Sequence, residues 1–306
     1  MTRVVVALGG NALLGDHGMD QYSEQLERVE ETANHVAEAM AAGNEVVLTH
    51  GNGPQVGTLM LQQERAPDTP QLPLDVLVAE TQAQIGYLLQ RALDSRLPGQ
   101  TDFITVVTQV LVDPEDPAFD DPRKPVGPFY TPSEAEAKAF RTAEVGSGEN
   151  PFRRVVPSPA PIGLVESEEI RRLVDGETHV ICAGGGGVPV TAEDEVIQGV
   201  EAVVDKDLTS ALLATDLDAS LLVILTDVPN AYRAYDSDDP EPITDATPSE
   251  LRMDLESGEF GSGSMAPKVK ACIRFIERGG ERAVITTPDS LLDGIAGKAG
   301  TQVRPG

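Results

Sequence analysis

Apolar positions along the chain alternate between two periods. Residues 4–8 form an unbroken, largely β-branched run closed by glycines, which predicts a strand buried on both faces. From Ser23, an N-capping residue type, Leu26, Val29, Ala33, Val36 and Met40 recur at helical spacing until Gly43 stops the helix. Residues 45–49 predict a second strand running into His50-Gly51-Asn52-Gly53-Pro54, and a further helical pattern covers 77–93. Beyond Pro161 the alternation returns. Strands are predicted at 179–183, ending in glycines 184–187, at 200–204, ending at Asp205-Lys206-Asp207, and at 221–225, ending in Thr226-Asp227. Helices are predicted at 208–213 and 264–278, and a last strand at 283–286. This order predicts an α/β fold, a mainly parallel open sheet with helices on both faces, and it contains no solenoid repeat.

The segment 113–161 breaks the pattern. It holds 10 of the 23 prolines, a density that opposes regular helix or sheet except for one short helix within 133–142. It also carries Phe119, Phe129, Tyr130, Phe140 and Phe152, five of twelve aromatics, so it should pack against something. A small protruding subdomain is expected rather than a disordered linker.

Charge narrows the partners. Asp and Glu number 50 against 23 basic residues, a formal net charge of −27. Nucleic acid and anionic membrane surfaces are disfavoured, because both are recognised through clustered Lys and Arg. With 40% apolar and 24% charged residues the chain has the makings of a core, not of a disordered polyanion. The apolar run at 4–8 is broken too early by Gly9-Gly10-Asn11 for a secretory signal, and no run is long enough to span a bilayer, so a cytoplasmic protein is expected. Of the basic residues 17 are Arg and only 6 are Lys, and strong acidity with few lysines reads as adaptation to concentrated salt. Cys182 and Cys272 are far apart and belong to no CxxC pair, which leaves no disulfide framework and no thiol metal site.

Four turns at predicted strand ends are glycine-rich or polar: Gly9-Gly10-Asn11, Gly51-Asn52-Gly53, the glycines at 184–187, and Lys206-Asp207. In open parallel sheets ligands bind at the carboxyl ends of strands, where glycines let backbone N–H groups approach an anion. Together the turns point to a phosphate ligand. The common nucleotide motifs do not fit: Gly297-Lys298 is followed by Ala299 and lacks the leading glycine of a Walker A loop, and Gly51–Gly57 is one residue too long for GxGxxG. The four His residues (17, 35, 50, 179) are scattered, no GxSxG elbow is present, and no zinc ligand spacing occurs. Lys124, Lys206 and Lys268 each stand beside Gly or Pro punctuation or at a strand or helix end, in a chain that otherwise prefers Arg. A compact ammonium suits phosphate oxygens that move during transfer.

These residues resemble the carbamate kinase family of the amino-acid kinase superfamily over essentially the whole chain. The resemblance rests on Val-Ala-Leu-Gly-Gly-Asn-Ala at 6–12, Thr-His-Gly-Asn-Gly-Pro-Gln-Val-Gly at 49–57, Lys-Pro-Val-Gly-Pro-Phe at 124–129, Arg-Val-Val-Pro-Ser-Pro at 154–159, Val-Asp-Lys-Asp at 204–207 and Gly-Ser-Met-Ala-Pro-Lys at 263–268. The two motifs inside the Pro-rich segment are the ones that separate this branch from acetylglutamate, glutamate and uridylate kinases. The resemblance implies a three-layer sandwich with a small lid subdomain, a single domain over 1–306 whose substrate half is 1–112, lid 113–161 and nucleotide half 162–306, and a homodimer in the cytoplasm. It implies reversible transfer between MgATP and carbamate, giving MgADP and carbamoyl phosphate, in a family that usually runs toward ATP in arginine breakdown. It further implies that Gly9, Gly10, Asn11, Gly51, Asn52 and Gly53 line the carbamate and transferring phosphoryl group. Lys206 and Lys268 would neutralise the phosphates, Asp207 would orient those two lysines, and Lys124 would reach in from the lid. Thr226, Asp227, Tyr232 and Met265 would border the nucleotide, although Pro229-Asn230-Ala231-Tyr232 departs from the family's usual pattern there. Any Mg²⁺ would arrive with the phosphates. Two other readings stay open: a kinase of the same fold for a different small anion, and a nucleotide sensor without turnover.

Overall fold

The structure, a computed structural model, describes residues 2–9, 22–99, 103–194, 196–235, 237, 239–260 and 264–306. An eight-stranded sheet forms its centre, in the order Asp245–Ala246, Thr301–Val303, Arg282–Thr286, Leu221–Leu225, Thr2–Leu8, Asn44–His50, His179–Ile181 and Phe103–Thr105. The six strands from Arg282–Thr286 to Phe103–Thr105 are parallel, and Thr301–Val303 runs antiparallel to its neighbour Arg282–Thr286. The middle strand is the predicted run at 4–8: Val4 faces Val46 on one side and Leu221 on the other.

Alternation along that strand divides the core into two layers. Val4, Val6 and Leu8 pack under the helices Tyr22–Ala41 and Leu74–Arg96, whereas Val5 and Ala7 pack under Lys206–Asp216 and Met265–Glu277. The expected three-layer α/β sandwich is thus what forms. Gly43 takes φ +91° just past the first helix, a conformation that suits a glycine at a helix end.

Four stretches stand out against the sequence-based expectation. Residues 200–204 are not a strand: Ala202 and Val204 are buried, but the backbone bonds singly, Val200 N to Pro189 O and Val203 N to Pro157 O. Apolar spacing there reports burial, not ladder pairing. The helix Gly53–Arg65 follows the second strand directly, where only a turn was read, and a strand at Thr301–Val303 follows the one expected to be last.

The Pro-rich segment is the fourth, because it contains regular sheet. Lys124–Tyr130, Phe152–Val156 and Thr142–Glu144 form a three-stranded antiparallel sheet. Lys124–Tyr130 is an edge strand, where a missing N–H at Pro125 is tolerated, and the register shifts between Val126 and Phe129, across Gly127-Pro128. The short helix is Pro132–Glu136, held by a capping box between Thr131 and Glu134. The segment is seated on the helix Gly53–Arg65. Gly57 and Gly127 approach so closely that a Cβ on Gly57 would lie 3.6 Å from Gly127 Cα. Glu64 accepts hydrogen bonds from Tyr130 and Lys138 of the lid. Val56, Met60, Val126 and Val156 close a small third core beneath it.

Candidate active site

The helix Lys206–Asp216 opens at the carboxyl end of the sheet with Asp205 as its N-cap, whose Oδ1 accepts from the N–H groups of Asp207 at 3.0 Å and Leu208 at 3.4 Å. Its first two residues then supply opposite charges. Lys206 Nζ donates to Asp207 Oδ1 at 2.5 Å, and Lys268 Nζ, from the adjoining helix Met265–Glu277, donates to Asp207 Oδ2 at 3.1 Å. Asp207 and Lys268 are only 2% and 6% exposed.

A single buried carboxylate therefore spaces two ammonium groups, leaving the cluster with one surplus positive charge. Burial pushes the Lys206 pKa down, Asp207 opposes that, and the neighbouring Lys268 charge pushes it down further. Burial alone would raise the Asp207 pKa, but the two lysines more than offset it and hold the carboxyl below its usual range. A fourth group closes in from the lid: Lys124 Nζ lies 3.2 Å from Asp205 Oδ2.

Opposite these cations lies the turn after the second strand. Gly51 N donates to Leu8 O at 3.0 Å, which joins this turn to the end of the first strand beside Gly9. Asn52 is buried and its Nδ2 donates to Thr81 Oγ1 at 2.9 Å, so its position is set by the helix Leu74–Arg96. The glycines at 184–187 pack against this turn. Gly185, at φ +66°, stands where a Cβ would come within 2.2 Å of Asn52 Nδ2, and a Cβ on Gly184 would meet the His50 ring at 2.5 Å. Thr49 and Ser210 hydroxyls, 2.6 Å apart, tie the strand to the cationic helix. His50 is buried with its pKa pushed down to about 4, chiefly by that burial and also by the Lys206 charge, so its ring is neutral near pH 7.

Between the lid, the turn and the cationic helix is a cavity of about 470 Å³. It brings together seven of the predicted residues: Gly51, Asn52, Gly53, Lys124, Lys206, Asp207 and Lys268. Gly9 ends its strand nearby without lining the cavity, and Gly10 and Asn11 lie outside the described residues. Thr226, Asp227, Tyr232 and Met265 are not in the lining either. Thr226 N donates to Thr286 O at 2.9 Å at the end of the central sheet, Tyr232 packs on Tyr235 with ring centroids 5.8 Å apart, and Met265 packs against the core at the start of its helix.

The lining also contains Gly185, from the third glycine turn, and groups the sequence reading assigned no role: Asp205, Arg123 and Arg153. Asp205 lay inside a quoted motif, but its double task of capping the helix and pairing with Lys124 is a matter of tertiary distance. Arg153 carried no spacing signal of its own, since it faces the cavity only through the register of the lid sheet.

The chain matches the model of the amino acid kinase family over residues 2–287. A carbamate kinase of Halobacterium salinarum is 50% identical, over 100% of this chain and 99% of that relative. One from Pyrococcus furiosus is 46% identical, over 99% of each. Among solved structures, the carbamate kinase from Giardia lamblia bound to AMP-PNP superposes with a TM-score of 0.93 at 41% identity, covering 100% of this chain and 99% of that one.

Proposed function

Given that the chain belongs to the carbamate kinase family of the amino acid kinase superfamily, we propose that its cavity transfers a phosphoryl group reversibly between MgATP and carbamate, yielding MgADP and carbamoyl phosphate. The observation that carries this reading is the buried Lys206–Asp207–Lys268 cluster facing the Gly51-Asn52-Gly53 turn.

Carbamate is already an anion. Its oxygen attacks the γ-phosphorus, the new O–P bond forms, the β–γ bridging P–O bond breaks, and ADP leaves with that electron pair; no proton has to move. The site must then supply alignment and cations for the equatorial oxygens, not a general base. Each ammonium carries three donors, and the described contacts use one of each on Asp207, which leaves N–H groups for phosphate oxygens. A neutral His50 fits chemistry that needs no proton acceptor. Lys124 adds charge from the lid, and the lid strand over the cavity keeps water from competing for the phosphoryl group.

In this reading Gly9, Gly10 and Asn11 complete the substrate side with the 51–53 turn, within the half 1–112. The half 162–306 binds the nucleotide, with Thr226, Asp227, Tyr232 and Met265 toward the nucleoside. The cavity's two carboxylates, Asp205 and Asp207, are both engaged by lysines, so Mg²⁺ is best placed as part of the nucleotide substrate, held largely by phosphate oxygens and water. A homodimer is supported by exposed Tyr87, Ile104 and Val107 beside the edge strand Phe103–Thr105. A cytoplasmic location is supported by two buried free thiols, Cys182 and Cys272; among the described residues no helix is long and apolar enough to cross a membrane.

The test is to mix carbamoyl phosphate with MgADP in molar KCl and measure ATP by luminescence after dilution. ATP formation dependent on both substrates is expected. Its absence, with ATP formed instead from another acyl phosphate or from none, would replace this reading with a different kinase or a nucleotide sensor.

A further inference from the structure

The cations around the cavity are nearly all matched by acids. Lys124 pairs with Asp205, Lys206 and Lys268 share Asp207, and Arg123 pairs with Asp121. Arg153 is the exception: no carboxylate lies within salt-bridge distance of it among the described residues. It sits on the lid strand Phe152–Val156, where neighbouring side chains point to opposite faces. Arg154 turns outward to Glu201 at 2.6 Å. Arg153 turns inward, its Nε donating to Gly127 O at 3.0 Å and its guanidinium lying 5.0 Å from the Phe129 ring centroid.

Those two contacts fix the plane of the guanidinium and use only one of its five donors. The terminal nitrogens have no described protein acceptor, and the residue lines the cavity. A half-buried guanidinium without an acid is costly unless an anion completes it, and burial indeed pushes the Arg153 pKa down. The glycine held by its Nε bond matters too. Gly127 takes φ +74° and sits over Met60, so the carbonyl that orients Arg153 belongs to the lid's contact with the body of the protein.

We infer that Arg153 is a substrate-binding residue of the lid, whose planar fork holds the carboxylate of carbamate and, once the phosphoryl group has been transferred, donates to the carbonyl oxygen of carbamoyl phosphate, while the lysines hold the phosphoryl group. This rests on the kinase reading. The chemistry distinguishes the two kinds of cation: a rigid, oriented fork suits a planar anion that stays in place, and mobile ammonium groups suit oxygens that change geometry during transfer. Arg153 thereby discriminates among acyl phosphates by what lies beyond the phosphorus.

The test uses the full chain and steady-state ATP formation from carbamoyl phosphate and MgADP for the wild type, Arg153→Lys and Arg153→Gln. The expected result is a carbamoyl phosphate KM raised roughly tenfold to a hundredfold in both variants, the size of a lost charge-assisted hydrogen bond, with KM for ADP changed less than about twofold. Arg153→Lys keeps the charge near the lid and so controls for folding; its unfolding midpoint should match the wild type. Unchanged KM values, or equal rises for ADP and carbamoyl phosphate, would overturn the assignment. A wild type that makes no ATP would instead overturn the kinase reading on which it rests.

Discussion

Asp207 does work that neither lysine does alone. Without it, burial and the neighbouring Lys268 charge would both act against the charge on Lys206 with the main opposing charge gone. With it, the two ammonium groups are held on one carboxylate, Lys206 at Oδ1 and Lys268 at Oδ2. Lys206→Met should therefore lower kcat by about two to three orders of magnitude, the cost of deleting one preorganised charge donor, while the fold survives because Lys268 still pairs with Asp207. Turnover by the luminescence assay, alongside circular dichroism, measures both halves of that expectation; near-normal kcat would refute the role. At this scale the sequence was informative through scarcity. With six lysines in 306 residues, the three at turns and helix starts stand out, and all three line the cavity. That one aspartate serves two of them was implied by the family resemblance and not by any local pattern, because Lys268 and Asp207 meet only when two helices pack.

Among the elements, the turn at 184–187 repays attention as a packing device as much as an anion cradle. Three successive glycines, 185, 186 and 187, have positive φ, and each would put a Cβ into a neighbour: Asn52, the Val204 carbonyl and Val110. Sequence reading found the glycines and their place after a strand, but the reason for them is this crowding. Gly185→Ala is expected to destabilise the protein by about 2 kcal/mol or more, since left-handed backbone and overpacking each cost about 1–3 kcal/mol. It should also lower activity by displacing Asn52. Urea unfolding monitored by circular dichroism would show it, and an unchanged midpoint would count against the packing role. The lid was legible in part. Its prolines and aromatics announced a packed excursion, yet the three-stranded sheet was hidden, because prolines on an edge strand and at a register shift leave no sequence alternation to read.

For the whole molecule the net charge of −27 sets the conditions under which the site works. The phosphates and carbamate are anions approaching a polyanion, and only the local cluster favours them. Screening resolves the conflict: the Debye length falls from about 10 Å at 0.1 M salt to about 3 Å at 1 M. The unfolding temperature should accordingly rise as KCl increases from about 0.1 M to 2 M, and dialysis to low salt should inactivate or unfold the protein. A melting temperature and activity indifferent to KCl would remove the salt-adaptation reading and leave the kinase reading intact.

By itself the sequence determined the layer architecture, the sheet's mainly parallel character, the place of the excursion and most of the charged residues at the cavity. These follow from local periodicity, turn chemistry and composition, which act between near neighbours in the chain. Only the tertiary structure decided that Asp207 gives one oxygen to Lys206 and the other to Lys268, that Asp205 caps a helix while meeting the lid through Lys124, and that Arg153 faces the cavity while Arg154 faces away. Those facts depend on which helices pack together and on the register of one small sheet. Such contacts between distant segments are set by the fit of whole surfaces, which no short window of sequence contains.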